Sequence, residues 1–172
     1  MSDWRERVSG AALHDFEVLM GSVLPSAEST LKRFGELQPF GASITADGDL
    51  VRLNADPRLG QNPQSRDVIR GIYTGARAAA FARRAIAVVQ TGKSGGGSAM
   101  RIDMEHKDGT TVSVVVPFTI SRFKKTYTRG TIMSGPGERR VWQDLPQTID
   151  LRTPTEVTVT DVWSNEVIKH EV

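Results

Sequence analysis

The sequence predicts an α+β fold: a two-layer structure in which an antiparallel sheet of five or more strands carries two main helices on one face. Two observations lead to this class. Apolar residues follow helical spacing in two segments, 11–34 and 65–84, whereas alternating strand patterns dominate the rest of the chain. The connections between the strands are short, and short connections favour antiparallel pairing.

The first helical segment covers residues 11–34. Pro25 lies inside this segment, so we expect either a break or two shorter helices, with Pro25 in the first turn of the second. Gly35 follows as a typical helix end. The apolar positions that define the helix include Leu13, Phe16, Leu19, Val23 and Leu31.

A hairpin is predicted within 39–56, because Asp47-Gly48 separates two alternating runs. A two-residue loop at this pair would place Ile44 opposite Val51 and Ala42 opposite Leu53. Both pairs are apolar and share one face, so the register is consistent with burial of that face.

The second helix is predicted over 65–84, with Ser65 as its N-cap. It buries a row of valine, isoleucine and alanine side chains. Arg83 and Arg84 fall in its last turn, where the helix dipole favours cations.

Three strands are predicted next, over 85–90, 100–106 and 110–120. For the second and third, a three-residue loop at 107–109 keeps apolar residues opposite apolar ones, with Gly109 in a left-handed conformation. The predicted pairs are Met104–Val112, Ile102–Val114, Met100–Val116, Glu105–Thr111, Asp103–Ser113 and Arg101–Val115.

Residues 121–142 are typical of another pair of strands, turning at 134–137. The pattern of 156–163 predicts a strand, which Ser164-Asn165 turns back on itself. We therefore expect one α+β domain over 1–142 and a C-terminal strand extension over 143–172, packed on the domain or on a partner subunit.

This order of helix, hairpin, helix and antiparallel strands resembles the roadblock and longin type of profilin-like domain. The elements that carry the resemblance are the hairpin 40–53, the helix 65–84 and the strands 85–120. The chain departs from the family after residue 120, where those domains often end in a helix and this sequence predicts strands. The resemblance implies a non-catalytic scaffold that dimerises or binds a partner.

Composition limits the classes of function. The chain has no cysteine, which excludes disulfides and thiolate chemistry. Its N-terminus is charged, unlike a signal peptide, and no apolar run reaches the roughly 18 residues of a membrane span. We expect a cytoplasmic protein of bacterial type with no membrane partner. With 22 basic and 20 acidic residues, a polyanion would need locally clustered basic groups.

The strongest motif to test is Gly92-Lys93-Ser94, the end of a phosphate-binding loop. Such a loop needs a glycine five residues before the Gly-Lys pair and a helix starting at the lysine. Position 87 is alanine, and three glycines follow Ser94. The sequence therefore predicts strand, glycine loop, strand, and no nucleotide site.

His106 lies close in sequence to the carboxylates Asp103, Glu105 and Asp108. Strand alternation directs Asp103 and Glu105 to the face opposite His106, so these groups do not converge on an ion or substrate. We expect a hairpin-end residue bonded locally. No catalytic, cofactor-binding or metal-ligating residue is predicted.

Basic and aromatic residues are concentrated in 122–142, a combination that suits nucleic acid. Strand alternation splits the group between two faces, and charge also keeps sheet edges soluble. Binding of nucleic acid or another polyanion and a solvated edge or protein contact therefore both remain open. The possible interaction surface comprises Arg122, Lys124, Lys125, Tyr127, Arg129, Arg139, Arg140, Trp142 and, near the end of the last strand, Trp163.

The leading functional prediction is a non-catalytic cytoplasmic protein-interaction module that forms a homodimer or binds another protein through its sheet edges and C-terminal strand. The alternative is binding of nucleic acid or another polyanion through the strands of 122–142.

Overall fold

The computed structural model describes residues 4–121, 126–143, 158–160 and 167–169. Two α-helices and nine strands form its regular structure, with short 3-10 turns at Trp4–Arg7, Pro57–Leu59 and Ala80–Ala82. In chain order these are α1 (Gly10–Phe34), β1 (Phe40–Thr45), β2 (Leu50–Leu53), α2 (Ser65–Ala78), β3 (Arg83–Ser94), β4 (Gly97–His106), β5 (Thr111–Ser121), β6 (Thr126–Arg129), β7 (Met133–Pro136), β8 (Thr158–Thr160) and β9 (Val167–Lys169).

The main sheet is antiparallel and curled, with strand order β2-β1-β3-β4-β5-β6. β7 also pairs with β5, along the same edge as β6. The predicted α+β class and the antiparallel sheet are therefore confirmed.

The two helices lie on opposite faces of this sheet, so the prediction of two layers with both helices on one face is wrong. Ala85, Ala87 and Val89 of β3 pack in the cluster beneath α1, whereas Ile86 and Val88 pack in the cluster beneath α2. β3 is thus buried on both sides, which explains why its sequence is a continuous apolar run instead of an alternating one. The domain has three layers.

Helix α1 is continuous through Pro25, and neither the break nor the pair of shorter helices occurs. Pro25 lies on the exposed side, and the residue one turn before it, Gly21, is also exposed and has no side chain. Water can therefore reach the carbonyl that proline leaves without a donor. Gly35 ends the helix with φ 77°, as predicted, and donates its N–H to the Leu31 carbonyl.

Helix α2 ends at Ala78, six residues before the predicted end. Its N-cap position is Gln64, so the predicted cap, Ser65, is the first helical residue. Arg83 and Arg84 belong to β3, where Arg83 pairs with Thr45 of β1, instead of closing the helix. Strand pairing has overridden the helical preference of the alanine-rich sequence.

The two predicted hairpins differ in outcome. The β4–β5 register is confirmed at all six predicted pairs, and Gly109 has φ 95°. In the β1–β2 hairpin Ser43 faces Val51 and Ile44 faces Leu50, one residue away from the prediction. The loop there has three residues, 46–48, and Gly48 takes the positive φ of 100°.

The strands predicted within 121–142 do not pair with each other. β6 and β7 both pair with β5, and residues 137–143 form no strand. In the tail, β8 pairs with β9 in antiparallel orientation. The turn predicted at Ser164-Asn165 lies outside the described residues. The packing of the 143–172 extension lies outside the described residues.

Candidate functional site

The glycine-rich stretch joins two adjacent strands. β3 runs to Ser94, the two turn residues Gly95 and Gly96 have φ 58° and 81°, and β4 begins at Gly97. Positive φ at both positions is the requirement of a tight two-residue hairpin turn. Lys93 faces Ser98 across the ladder, so the predicted order of strand, turn and strand is confirmed, and no helix begins at the lysine.

The paired ends of β3 and β4 extend beyond the end of α1 and leave a groove of about 660 Å³ between helix and sheet, which we call the α1-end groove. Buried Leu31, Leu37 and Phe118 form its apolar floor. Phe34, in the last turn of α1, lines the groove with 63% of its surface exposed. The groove therefore offers an uncovered aromatic ring beside an apolar floor.

Lys93 is the one cation among the described residues that line the groove, and Lys32 and Arg33 lie nearby in the last turn of α1. Lys32 lies 5.4 Å from the ring centroid of Tyr127 and Arg33 lies 5.0 Å from that of Phe34. Within the described ranges, no carboxylate forms an ion pair with these three groups. Glu36 is the single acidic residue among the groove-lining residues.

Of the predicted interaction residues, Tyr127 and Arg129 lie on the α1 face. The Tyr127 hydroxyl donates to Oε1 of Glu28 at 3.2 Å, and Arg129 contacts the same oxygen at 3.3 Å. The Tyr127 ring stacks on Phe118 with a centroid separation of 5.8 Å. Burial, and then the Glu28 carboxylate, raise the pKa of Tyr127 to about 12.

Arg139, Arg140 and Trp142 lie on the α2 side. Trp142 is fully buried in the α2 cluster, and Arg139 donates to its carbonyl at 3.0 Å. Arg140 forms an ion pair with Glu138 at 2.7 Å, and its guanidinium lies 5.2 Å from the ring centroid of Tyr73. These three residues serve mainly as internal contacts.

The sheet therefore separates the described members of the predicted surface into two groups, one on each face. The sequence predicted that Arg139, Arg140 and Trp142 would occupy a strand paired with 122–130, but that pairing does not form. Arg122, Lys124, Lys125 and Trp163 lie outside the described residues.

One buried carboxylate fixes residues 140–142 against the sheet. Glu105 of β4 is only 3% exposed, and its two oxygens accept the backbone N–H groups of Arg140, Val141 and Trp142 at 2.7–2.9 Å. Hydrogen bonds to a carboxylate are stronger than neutral ones, so this contact holds the segment firmly. We call it the Glu105 clip.

His106 lies at the opposite face of the same strand, buried between two carboxylates. Its Nε2 is 3.4 Å from Oδ2 of Asp15, and its Nδ1 is 3.0 Å from Oδ1 of Asp108. Asp15 also accepts two hydrogen bonds from Arg84, both of 2.8 Å. The cluster joins α1, β3 and the β4–β5 turn, and Asp15 and Arg84 are partners that sequence spacing did not reveal.

Asp108 in this cluster has a lowered pKa. Burial acts to raise the pKa, but hydrogen bonds from the Ser9 hydroxyl, Thr110 and His106 together outweigh it. The Ser9 hydroxyl reaches Oδ2 of Asp108 at 2.5 Å and also accepts from the N–H of Ala12, which caps α1. The arrangement stabilises the start of the helix.

No group of three or more metal-ligating side chains occurs within the described ranges. Among the helices that the structure describes, none is long and apolar enough to cross a membrane.

Comparisons with known proteins give no match: no family model, no curated protein and no solved structure is similar to this chain. Sequence reasoning did not predict the α1-end groove, because its lining residues come from α1, β3, β4 and β5, which are distant in sequence. One feature of the sequence does point to it: Gly35 ends the helix directly after Phe34, which places this aromatic ring at the end of α1.

Proposed function

We propose that this protein is a non-catalytic protein-interaction module whose partner-binding surface is the α1-end groove. The exposed ring of Phe34 over the apolar floor is the observation that carries the proposal. Aromatic side chains that stand at the edge of apolar pockets are typical anchors of protein contacts. The ionisable groups that line the groove, Glu36 and Lys93, form no ion pair and no acid–base arrangement with each other.

A pull-down from the native cell with mass spectrometry tests this proposal. Phe34→Asp should remove the captured partner, because it places a charge where apolar contact is required. Phe81→Asp is the matched control: Phe81 is 89% exposed, lies in another part of the molecule and should be dispensable. Equal capture of the same protein by both variants would show that the groove is not the interface.

We further propose that the protein forms a homodimer through β2, an edge strand of the sheet. Leu50 and Val51 of β2 are exposed, and an apolar edge strand is suited to antiparallel pairing with a second copy. Light scattering should then give twice the chain mass of 18.8 kDa. Val51→Lys should give a monomer, and Thr128→Lys on β6 should not.

The similarity in element order to roadblock and longin domains supports both proposals, because such domains imply a dimerising scaffold without catalysis. The alternative proposal, polyanion binding through 122–142, predicts a salt-dependent shift of labelled DNA or RNA. Loss of that shift in Lys124→Glu plus Arg139→Glu, with capture of the protein partner unchanged, would favour a separate polyanion site.

A further inference from the structure

We propose that Asp47-Gly48 is a site of spontaneous isoaspartate formation in the folded protein, whereas the other Asp-Gly step of the chain, Asp108-Gly109, is protected by hydrogen bonds to its carboxylate. In this reaction the glycine nitrogen attacks the side-chain carboxyl carbon of the aspartate, the nitrogen loses its proton, and a carboxyl oxygen leaves as water. The cyclic imide then takes up water at the former backbone carbonyl, so that the main chain runs through Cβ and Cγ. Glycine has no Cβ to hinder the attack.

The two steps occupy equivalent positions in the β1–β2 and β4–β5 loops. Gly48 donates its N–H to the Thr45 carbonyl, and Gly109 donates its N–H to the His106 carbonyl, each at 3.0 Å. The φ angles of the two glycines are 100° and 95°. Because the backbone at the attacking nitrogen is so similar in the two loops, a difference in reactivity must come from the side chains around each aspartate.

The Asp108 carboxylate is held at both oxygens. The Ser9 hydroxyl donates to Oδ2 at 2.5 Å, and the Thr110 N–H donates to Oδ1 at 2.8 Å. These bonds must break before the side chain can rotate towards the Gly109 nitrogen. The side chain is still 33% exposed, so hydrogen bonding and not burial is its main protection.

The ionisation of Asp108 acts in the same direction. Burial acts to raise its pKa, but the hydrogen bonds from Ser9 and Thr110 bring the pKa below its ordinary value. Ring closure releases a carboxyl oxygen as water and therefore favours the protonated acid. A lowered pKa leaves less of that acid near neutral pH.

Asp47 lacks these restraints. It is exposed, and among the described residues no hydrogen bond or ion pair holds its carboxylate. The N–H of Asp49, equivalent in position to that of Thr110, donates instead to the hydroxyl of Thr45 at 3.0 Å. The Asp47 side chain is therefore free to rotate towards the Gly48 nitrogen.

Isomerisation at Asp47 should act on strand β2. It adds one atom to the main chain of the loop, and loop geometry sets the register of a hairpin. β2 has four residues, and within the described sheet it pairs with β1 alone. We expect the pairing of Ile44 with Leu50 and its neighbours to weaken in the aged protein.

Incubation of the purified full chain near neutral pH for several weeks tests this inference. Digestion after arginine gives peptides 34–52 and 102–122, each with one Asp-Gly step in its interior, and electron-transfer fragmentation distinguishes the two linkages. Isoaspartate should form at least about tenfold faster at residue 47 than at residue 108, a factor that one hydrogen bond to a carboxylate can supply.

Two variants sharpen the test. Ser9→Ala should speed the reaction at Asp108 by about fivefold and leave that at Asp47 unchanged, once circular dichroism has shown that the variant is folded. Asp47→Glu keeps the charge but needs a larger ring, so it should give no product at this position. Amide exchange in residues 50–53 should be faster in aged wild-type protein and unchanged in aged Asp47→Glu.

Concentrated guanidinium chloride is the control for local sequence, since both steps should react at similar rates in the unfolded chain. Equal rates in the folded protein, or a faster reaction at Asp108, would overturn the inference. A rate ratio that persisted in denaturant would assign the difference to neighbouring residues in the sequence and not to the fold. Product at Asp47 in denaturant alone would show that the bond from Gly48 to Thr45 protects this step as well, which would also overturn it.

Discussion

On the α1 face of the sheet, β4 contributes Met100, Ile102 and Met104 to one continuous apolar layer beneath a long helix. On the α2 face the same strand presents Arg101, Asp103 and Glu105, and the cover consists of a short helix and the segment fixed by the Glu105 clip. The first face depends on apolar burial, which is non-directional. The second also contains an apolar cluster, but it depends in addition on the hydrogen bonds to Glu105, which need particular geometry. Substitutions should therefore act differently on the two faces.

The largest loss of stability is expected from Phe16→Ala on the α1 face. Phe16 is fully buried and packs against Trp4 and His106, with ring centroids 6.1 and 6.3 Å away. Its removal leaves a cavity and should lower the free energy of unfolding by about 3–5 kcal/mol in denaturant titration. The exposed Phe34→Ala should change it by less than about 0.5 kcal/mol. Similar losses in both variants would contradict the assigned core.

On the α2 face, Glu105→Gln should lower the free energy of unfolding by about 2–4 kcal/mol, because three buried N–H groups would share one neutral acceptor oxygen. Faster amide exchange should be confined at first to residues 137–143. The exposed Glu138→Gln, which loses only its contact with Arg140, serves as a control and should change little. Uniformly faster exchange over the whole sheet would show that the Glu105 clip does not act on residues 137–143 in particular.

Close backbone approach gives a third test. A Cβ on Gly41 would lie 2.7 Å from the carbonyl oxygen of Ala87 and 3.5 Å from Ile72 of α2. Gly41→Ala should therefore push β1 away from the backbone of β3 and cost about 1–3 kcal/mol. Gly21→Ala is the opposite control: no atom lies within 4 Å of its Cβ position on α1, and it should stabilise by about 0.5–1 kcal/mol.

The smallest effect concerns the two tyrosines of the chain, one on each face. Burial raises both pKa values, with Asp103 adding to the shift at Tyr73 and Glu28 to that at Tyr127, whose pKa reaches about 12. Because folding raises these pKa values, the un-ionised phenols favour the folded state. This stabilisation is complete below about pH 10 and is lost as the pH rises towards 12. Absorbance titration should show no phenol ionising at its ordinary pKa, and Glu28→Gln should lower the value for Tyr127 alone.

The outcome for the two hairpins shows what sequence can predict here. In β4–β5 both strands are buried, so only one register keeps Ile102 opposite Val114 and Asp103 opposite Ser113. β2 is an exposed edge, and apolar matching does not determine its register. The turn decides instead, and the Asp-Gly pair occupies the last two positions of a three-residue loop in both hairpins.

The candidate site was less accessible to prediction. Spacing placed Arg139, Arg140 and Trp142 on a strand, whereas Glu105, distant in sequence, holds that segment by its backbone. When one side chain accepts hydrogen bonds from consecutive backbone N–H groups, the sequence of that segment shows no periodic pattern from which the contact could be predicted. The α1-end groove is formed by residues of α1, β3, β4 and β5, which meet only when these elements pack together.

The turn at Gly95 and Gly96 gives experimental access to this groove. Both glycines need positive φ, but Ser98, just after the turn, faces Lys93 across the ladder and lines the groove. Since the chain contains no cysteine, Ser98→Cys would introduce a unique thiol in the groove. A dye attached there would report occupancy of the groove by fluorescence without knowledge of the ligand's identity.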